Sequence, residues 1–494
     1  MIPSFLVSPK VKNLLMIFLF LSTSLIAEAA KNGVSLEYLL AAYLANHREI
    51  QALTIQLQQQ HLSLESTRNS QGIDITLSTG IFSLGSSQVR GEPSISISMP
   101  RLNGTYLEAR VPLQFDLEDN AAAKSSSQEN ASVLQGASLT VGTEILGNRG
   151  KSAELSVLKS ERSLQEAQRR IQNQALAVEK EFYSTIKDLY SSYAHLLNLQ
   201  NSVYTKELDL AILQAQGYGP TSTRYRTTQM EVLTNQRNVD KAQRSFQREL
   251  ELFSQKCGLE ADSLSITDFA PSGEILAATK ILEELPVKGI ESFTTMESAQ
   301  WSLSLAELEE RADSSVTLSA EAGYTYKGQA ASSGASDTIN GALVLKALGG
   351  TISTGVSVPL SGEEKNPAAQ LSLTWSPNDM KNQSIQKQQR QLNLELAKLK
   401  IQEAEESYSQ AMEETLLTWE DLLWNRQVAK EERELYQQLA QDTTSLFNQG
   451  MTTETEFKQA NTNRDRAQIQ CEIADLELII HYIATRQLFI PEEN

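Results

Sequence analysis

Two very long stretches of this chain contain neither proline nor glycine, and a glycine follows each of them. The first covers residues 152–216 and is followed by Gly217; the second covers residues 378–449 and is followed by Gly450. Inside a helix, proline costs about 3 kcal/mol and glycine about 1 kcal/mol relative to alanine. Their joint absence predicts two uninterrupted helices, each about 100 Å long at 1.5 Å per residue. Helices of that length indicate a function that depends on spanning a distance.

The N-terminus has the pattern of a secretory signal peptide, which we expect over residues 1–29. Lys10 and Lys12 precede an apolar run at residues 14–21, and Ala27-Glu28-Ala29 offers a cleavage site with small outer residues. The apolar run is shorter than the roughly 20 residues that a membrane-spanning helix needs, which argues against a membrane anchor.

The formal net charge of −18 makes nucleic acid an unfavourable partner, because phosphates repel an acidic surface. The two cysteines, Cys257 and Cys471, lie on predicted helices, about 57 and 32 Å from the nearest glycine break along the helix axis. Thiols at such different heights are not expected to pair, so the sequence predicts two inert thiols.

The chain repeats one unit, with a helix, strands, a long helix, a glycine break and a shorter helix in each half. Val111-Pro112-Leu113 in the first half reappears as Val358-Pro359-Leu360 in the second. We expect the first repeat over residues 30–257, with a helix at 35–69, strands within 73–146, the long helix at 151–216 and a helix at 220–257. A connector is expected at 258–289. The second repeat, 290–494, is expected to have a helix at 290–311, strands within 315–375, the long helix at 377–448 and a helix at 452–490.

The first long helix has apolar residues at alternating three- and four-residue steps, which is the spacing of a coiled coil. This seam comprises Ile171, Ala175, Val178, Phe182, Ile186, Leu189, Tyr193 and Leu196. The second long helix has a comparable distribution of apolar residues, with Leu392, Leu394, Leu399, Ile401, Tyr408, Met412, Leu416 and Trp419. These spacings predict packing residues.

Eight segments alternate apolar with polar or small residues, the period of a β-strand. They lie near residues 73–82, 94–99, 106–117, 137–146, 316–326, 339–346, 351–358 and 368–375. A soluble sandwich would alternate in the same way and remains an alternative. Segments of about 9–13 residues, however, suit tilted transmembrane strands, and short turns alternate with longer loops as in bacterial barrels. The short turns are expected at 101–104 and 347–350, and the longer loops at 83–93, 118–136, 327–337 and 361–366.

A duplicated unit of this kind behind a signal peptide resembles the TolC-like outer-membrane efflux protein family, also called outer-membrane factors. The sharpest local match is the run from Phe447 to Glu456, in which Gly450 follows an aromatic residue and precedes small polar residues and acids. The first-half counterpart, Gly217–Thr223, is a looser match because it contains an additional Gly219-Pro220. The resemblance covers essentially the whole chain after residue 29.

The resemblance implies an α+β membrane protein, in which antiparallel coiled-coil helices form a periplasmic α-barrel and the strands contribute to a trimeric outer-membrane β-barrel. Such a homotrimer would be the exit duct of a tripartite efflux or type I secretion system, passively conducting substrates and partnered by a periplasmic adaptor (a membrane fusion protein), an inner-membrane pump and outer-membrane lipid. Relatives contribute four strands per chain, whereas eight candidates occur here. Both a 24-stranded barrel and four membrane strands with extra hairpins stay open.

Residues at the glycine breaks would carry the duct's functions. In relatives, acidic residues six and nine positions after the second glycine form the tunnel constriction; these positions are Glu456 and Gln459, and Glu454 is the candidate for the missing charge. An arginine of relatives is replaced by Thr452. The adaptor-contacting helix tips are expected to comprise Gly217, Gly219, Pro220, Thr221, Gly450, Met451, Thr452 and Thr453.

No residue pattern points to an enzyme, a cofactor or a metal. The four histidines, His47, His61, His195 and His481, lack the spacing of metal ligands, and no phosphate-binding glycine loop or nucleophile elbow is present. Two alternatives without a channel remain, a periplasmic adaptor and a trimeric coiled-coil surface protein. The cargo, the pump and the choice between efflux and secretion are not encoded in any recognisable motif.

Overall fold

The computed structural model describes residues 35–79, 83–84, 88–116, 135–147, 149–259, 275, 285–312, 316–327, 336–347, 349–361 and 366–491. The signal peptide expected over residues 1–29 and most of the connector expected over 258–289 lie outside these residues. The chain divides into two compact units: the first comprises Met1–Ile55, Arg169–Met296 and Glu405–Asn494, and the second comprises Gln56–Gln168 and Glu297–Ala404.

The helices are α1 (Leu36–Asn46), α2 (Arg48–Ser70), α3 (Arg149–Ala215), α4 (Thr223–Lys256), α5 (Thr294–Ala312), α6 (Pro377–Asn448) and α7 (Glu454–Gln487), with a 3₁₀ turn at Ile290–Ser292. Helices α3 and α6 have 67 and 72 residues and cover the two predicted stretches, with α6 beginning at Pro377, where the first helical position tolerates proline. Among the described residues, no helix combines the length and apolar character that membrane crossing requires.

The single helix expected over residues 35–69 is two helices, α1 and α2, separated at His47. The His47 backbone is extended (φ −74°, ψ 114°), although neither proline nor glycine is present to break the helix. The reason is a tertiary cluster: Tyr43 donates a hydrogen bond to Glu181 on α3 over 2.8 Å, and His47 Nε2 lies 3.8 Å from the same carboxylate. Contacts with residues distant in sequence therefore outweigh local helix propensity.

The helix expected over residues 290–311 begins later, at Thr294. The N–H group of Thr294, the first residue of this helix, donates to the Leu488 carbonyl over 3.1 Å. Phe293 forms a β-bridge with Phe489. The chain after α7 therefore supplies the hydrogen-bond acceptor that a preceding turn of helix would have given.

The seam of α3 forms the core of the first unit. Val178, Phe182, Ile186 and Leu189 are buried together with residues of α1, α4 and α7. The prediction of packing residues on α6 is wrong in part: Leu392, Leu399 and Leu416 are exposed, and the buried positions include Ala397, Ala404, Met412, Ala429 and Ala440. Helix α6 thus packs closely through small residues and leaves its leucines on the outside.

The strands form one eight-stranded antiparallel sheet, in the order β1-β4-β5-β7-β8-β9-β10-β11, and one three-stranded sheet, in the order β2-β3-β6. Their bounds are β1 (Asp74–Ser78), β2 (Ser83–Leu84), β3 (Gln88–Gly91), β4 (Ser94–Met99), β5 (Thr105–Arg110), β6 (Leu113–Asp116), β7 (Gln135–Leu146), β8 (Val316–Lys327), β9 (Ser336–Ala347), β10 (Gly350–Pro359) and β11 (Ala368–Trp375). Each of the eight predicted segments contributes a strand to the large sheet.

Two sequence expectations about the strands are wrong. The segment expected as one strand over 106–117 is divided: β5 ends at Arg110, and β6 begins at Leu113 in the other sheet. The division falls at Pro112, which has no N–H to donate to a ladder. The loop expected over 83–93 contains β2 and β3.

Candidate functional site: the helix tips and the two-faced sheet

The first helix tip, where α3 ends, closes with a Schellman motif. Gly217 has φ +82°, and its N–H donates to the Gln214 carbonyl over 3.0 Å, while Tyr218 N–H donates to Leu213 over 3.0 Å. These bonds satisfy carbonyl groups that the helix end would leave free. No atom lies within 4 Å of a Cβ added at Gly217, so this glycine is required by its backbone angle and not by lack of space.

The second tip, where α6 ends, has the same motif. Gly450 has φ +71°; its N–H donates to Phe447 over 2.9 Å, and Met451 N–H donates to Leu446 over 2.9 Å. The chain therefore reverses direction through the same backbone motif in both halves. The ring of Phe447 stacks on Phe457 of α7 with 4.7 Å between centroids, so the two helices are in contact next to the tip.

The carboxylate of Glu456 is held by the N-terminus of α7. Thr453 N–H donates to Glu456 Oε2 over 3.0 Å, and Glu456 N–H donates to Thr453 Oγ1 over 3.3 Å, which is a capping box. The Thr452 hydroxyl donates to the same oxygen. These bonds, that from Thr452 foremost, lower the pKa of Glu456 below its ordinary value. The carboxylate is charged at neutral pH and its position is fixed.

The other two predicted constriction residues lie on the same part of α7, and both are exposed. Glu454 forms an ion pair with Lys458, with 2.8 Å from Oε1 to Nζ, and Lys458 Nζ lies 4.1 Å from the ring centroid of Tyr204 on α3. Gln459 is three residues after Glu456 and shares a helix face with it.

Sequence reasoning missed two features of the tips. The capping box was recognisable, because Thr453 and Glu456 have the spacing Ser/Thr-x-x-Glu that precedes a helix. The contact between Lys458 and Tyr204 was not recognisable, because it joins residues from the two halves of the chain. The sequence shows no periodic signal for a cation packed on an aromatic ring.

The eight-stranded sheet has one apolar and one polar face. Residues opposite each other in adjacent antiparallel strands point to the same face, so the register defines a row of side chains across all eight strands. One row reads Ile75, Ile97, Leu107, Val141, Ala322, Gly341, Val356 and Ala369. The next row, on the opposite face, reads Asp74, Ser98, Tyr106, Gly142, Glu321, Ala342, Gly355 and Gln370.

The apolar face is the more exposed of the two. On β7, Leu139 and Val141 are 45% and 43% exposed, whereas Glu144 on the polar face is only 9% exposed. On β10, Ile352 and Val356 are 42% and 46% exposed, whereas the polar-face residues Ser353 and Ser357 are half-buried. This is the reverse of a soluble sheet, which buries its apolar face.

The sequence also matches known domains over most of its length. Residues 39–280 match the TP096X N-terminal domain, and residues 287–492 match the TP096X C-terminal domain. The chain belongs to the TP096X family. The boundary between the two TP096X domains falls between residues 280 and 287, inside the connector that the internal repeat predicts.

Solved structures align with this TP096X chain over nearly its whole length at low sequence identity. CusC, described in a study of transmembrane channel formation, is 13% identical, with 92% of each chain covered and a TM-score of 0.46. The outer membrane protein VceC from Vibrio cholerae is 11% identical, with 91% of this chain and 95% of that chain covered and a TM-score of 0.45. The CmeC outer membrane channel of Campylobacter jejuni is 10% identical, with coverages of 94% and 90% and a TM-score of 0.45. No curated protein matches the TP096X chain.

Proposed function

We propose that this chain is one protomer of a homotrimeric exit duct in the outer membrane, extending into the periplasm and conducting substrates passively for a tripartite efflux or type I secretion system. The observation that carries the proposal is the inverted sheet, with its apolar face outward. Burying apolar surface stabilises by about 25 cal/mol per Å², so a wide exposed apolar face requires a non-aqueous neighbour. Lipid is the neighbour that a sheet with a polar opposite face fits.

The longest strands suit a bilayer. Strands β7, β8 and β9 have 12 residues each and β10 has 10, and a tilted transmembrane strand needs about 9–11. Exposed aromatic side chains lie toward opposite ends of the apolar face, Tyr324 near the end of β8 and Trp375 at the end of β11. Aromatic girdles at both membrane interfaces are a property of outer-membrane barrels.

A barrel requires that the open edges of the sheet be paired. In the described part of the chain, β1 and β11 are the outer strands, and an unpaired strand edge invites another chain. Pairing β11 of one copy with β1 of the next is a head-to-tail contact, which closes into a ring when the rotation permits. Three copies would supply 24 strands.

The helices of the first unit favour the same ring. Contacts between α4 and α3, between α3 and α7, and between α7 and α6 give the order α4-α3-α7-α6, so α4 and α6 are the outer helices. Helix α4 has seven basic and four acidic residues, whereas the part of α6 from Glu405 onward has ten acidic and three basic residues. Opposite charges on the two outer helices favour contact between α6 of one copy and α4 of the next.

The exposed apolar residues of α6 support this contact. Leu417 is 57% exposed, Trp424 67% and Leu435 65%. These side chains lie on a helix whose alanine face is already buried in its own chain, so a neighbouring copy is the partner that would cover them. The heterologous contact would then bury apolar surface as well as pair charges.

At the tips, Glu454, Glu456 and Gln459 are our candidates for the tunnel constriction, since three copies would bring three fixed carboxylates of Glu456 together. The exposed reversals, Gly217–Thr221 and Gly450–Thr453, are the candidates for adaptor contact. Opening the constriction requires that the adaptor bind the open state more tightly than the closed state.

The test is reconstitution of the full chain, purified in detergent, into planar lipid bilayers. We expect a particle of three chains and stable single-channel conductance, and Glu456→Gln is expected to reduce cation selectivity. A monomer that leaves membranes on extraction with carbonate, or a lipid-bound trimer without conductance, would overturn the duct and favour the adaptor or the surface protein.

A further inference from the structure

On the polar face, the ring of Tyr106 lies over Gly142 on the next strand, beside Glu321 on the strand after that. Tyr106 on β5 pairs with Gly142 on β7, and Gly142 pairs with Glu321 on β8. The Tyr106 hydroxyl lies next to the Glu321 carboxylate. A Cβ added at Gly142 would lie 2.3 Å from the Tyr106 ring, so only glycine at this position allows the ring to cross the strand.

Beside Glu321 the polar face is recessed. The recess has a volume of about 330 Å³. Its floor next to Glu321 consists of small residues, Gly323, Ala342 and Gly355, and its walls carry Thr140, Asn340 and Gln370. A hydrated ion or an organic group can therefore approach this carboxylate at the level of the sheet, with amide and hydroxyl groups around it.

Two other acids of the polar face, Glu108 and Glu144, have arginine partners, whereas Glu321 has a tyrosine beside it. Glu108 has an arginine partner, with 2.7 Å from its Oε1 to Arg110 Nε, and Glu144 Oε2 lies 3.3 Å from Arg149 Nε. The neighbour that Glu321 has across Gly142 is a neutral phenol instead, and the Glu321 residue is exposed. A phenol does not neutralise a carboxylate, so the negative charge stays available to a cation.

We propose that Glu321 and the recess beside it form a binding subsite for an organic ammonium group, so that cationic substrates are favoured on the polar face of the sheet. This inference rests on the proposed function, because it requires the polar face to line the passage. The ammonium would donate to a carboxylate oxygen of Glu321, and its alkyl chain would lie over the glycine and alanine floor. Tyr106 is the positioning residue.

The test uses reconstituted trimers in planar bilayers at low salt, with 1,6-diaminohexane as the probe. We expect the diamine to block conductance, and Glu321→Gln to raise its half-blocking concentration about tenfold, because a charge-assisted hydrogen bond is replaced by a neutral one. Glu321→Asp should shift it less, and Tyr106→Phe should also weaken the block. Glu310→Gln, an exposed acid on α5, is the control with the same loss of charge and should behave as the wild type.

The outcomes separate the two proposals. If the wild-type protein does not conduct, the duct fails, and the subsite fails with it. If the wild type conducts but Glu321→Gln is blocked as the wild type is, only the subsite is overturned. Should Glu321→Gln not assemble, an unchanged half-blocking concentration for Glu321→Asp, together with an unchanged value for Tyr106→Phe, overturns the subsite equally.

Discussion

The Nε atom of Arg426 on α6 lies 2.5 Å from Oδ1 of Asp475 on α7, and the two side chains are only 17% and 4% exposed. This pair joins the two helices of the second half inside the first unit. Replacing Arg426 by methionine leaves the Asp475 carboxylate buried without its cation. Breaking one side of a buried pair typically costs about 3–5 kcal/mol, so we expect a comparable loss in the free energy of unfolding, measured by urea titration of helical circular dichroism.

The chain offers a matched control for this prediction. Arg464 and Asp465 also form an ion pair, at 2.7 Å, but both side chains are more than 40% exposed. Exposed pairs contribute about 0–1 kcal/mol, so Arg464→Met should change stability little. The double replacement Arg426→Met with Asp475→Leu should recover most of the loss. Equal effects of the two single arginine replacements would show that the buried pair has no special role.

A second prediction concerns the helix reversals. Gly217 has a positive φ, whereas Gly219, two residues on, does not, and a Cβ added at either meets no atom within 4 Å. Gly217→Ala is therefore expected to cost about 1–2 kcal/mol through backbone strain alone, and Gly219→Ala is expected to be nearly neutral. Thermal unfolding of the two variants measures the difference. A similar loss for both would mean that the αL conformation at residue 217 is not what closes the tip.

A third prediction is the acid sensitivity of the second tip. The hydrogen bonds from Thr452 and Thr453 lower the pKa of Glu456 below its ordinary value of 4.5. A lowered folded pKa means that the cap stabilises α7 above pH 4.5 and that this contribution is lost as the pH falls through the folded pKa. Amide exchange at residues 454–458, corrected for intrinsic rates, should therefore accelerate in strong acid.

Glu456→Gln supplies the control for the acid sensitivity. A glutamine keeps an acceptor for the Thr453 N–H but does not titrate, so amide exchange in this variant should depend on pH much less than in the wild type, with only the Glu454–Lys458 pair left to titrate. If amide exchange had the same pH dependence in the wild type and in the glutamine variant, the carboxylate would have no role in the cap.

Local energetics made the helices and strands predictable. Residues 152–216 and 378–449 predict α3 and α6, because they lack proline and glycine, the two residues with the lowest helix propensity. The eight strands of the large sheet follow from alternation, whereas the split at Pro112 was not predicted, although the missing N–H of this residue accounts for it. Both kinds of signal depend only on neighbouring residues.

Packing between distant segments was not predictable from the sequence. The break at His47 depends on Glu181, which is more than 130 residues away. The leucines of α6 were predicted as packing residues. Their spacing does not show whether a helix face packs against its own chain or against another chain. At the tips, Thr453 and Glu456 were readable as a capping box, whereas Lys458 meets Tyr204 only after both halves fold.

A fourth prediction concerns the buried thiols. Cys257 is 2% exposed, and burial raises its pKa to about 12; burial also raises the pKa of Cys471. Since the thiolate is the reactive form, neither thiol should react with Ellman's reagent at pH 8 in the folded protein, and two per chain should react in denaturant. Rapid reaction of one thiol in the native state would place that cysteine at a surface or a mobile position.

The last prediction separates the two faces of the sheet at adjacent residues. Leu343 belongs to the apolar face and is 46% exposed, and its neighbour Val344, paired with Ser319 and Ser353, belongs to the polar face. An arginine on the lipid face near the bilayer centre costs about 2–4 kcal/mol, so Leu343→Arg should lower the folded fraction in liposomes, measured as heat-modifiable mobility on gels. Val344→Arg places the same charge toward water and should fold nearly as the wild type does. If Val344→Arg failed and Leu343→Arg assembled normally, the assignment of the two faces, and with it the direction in which the sheet curls around the passage, would have to be reversed.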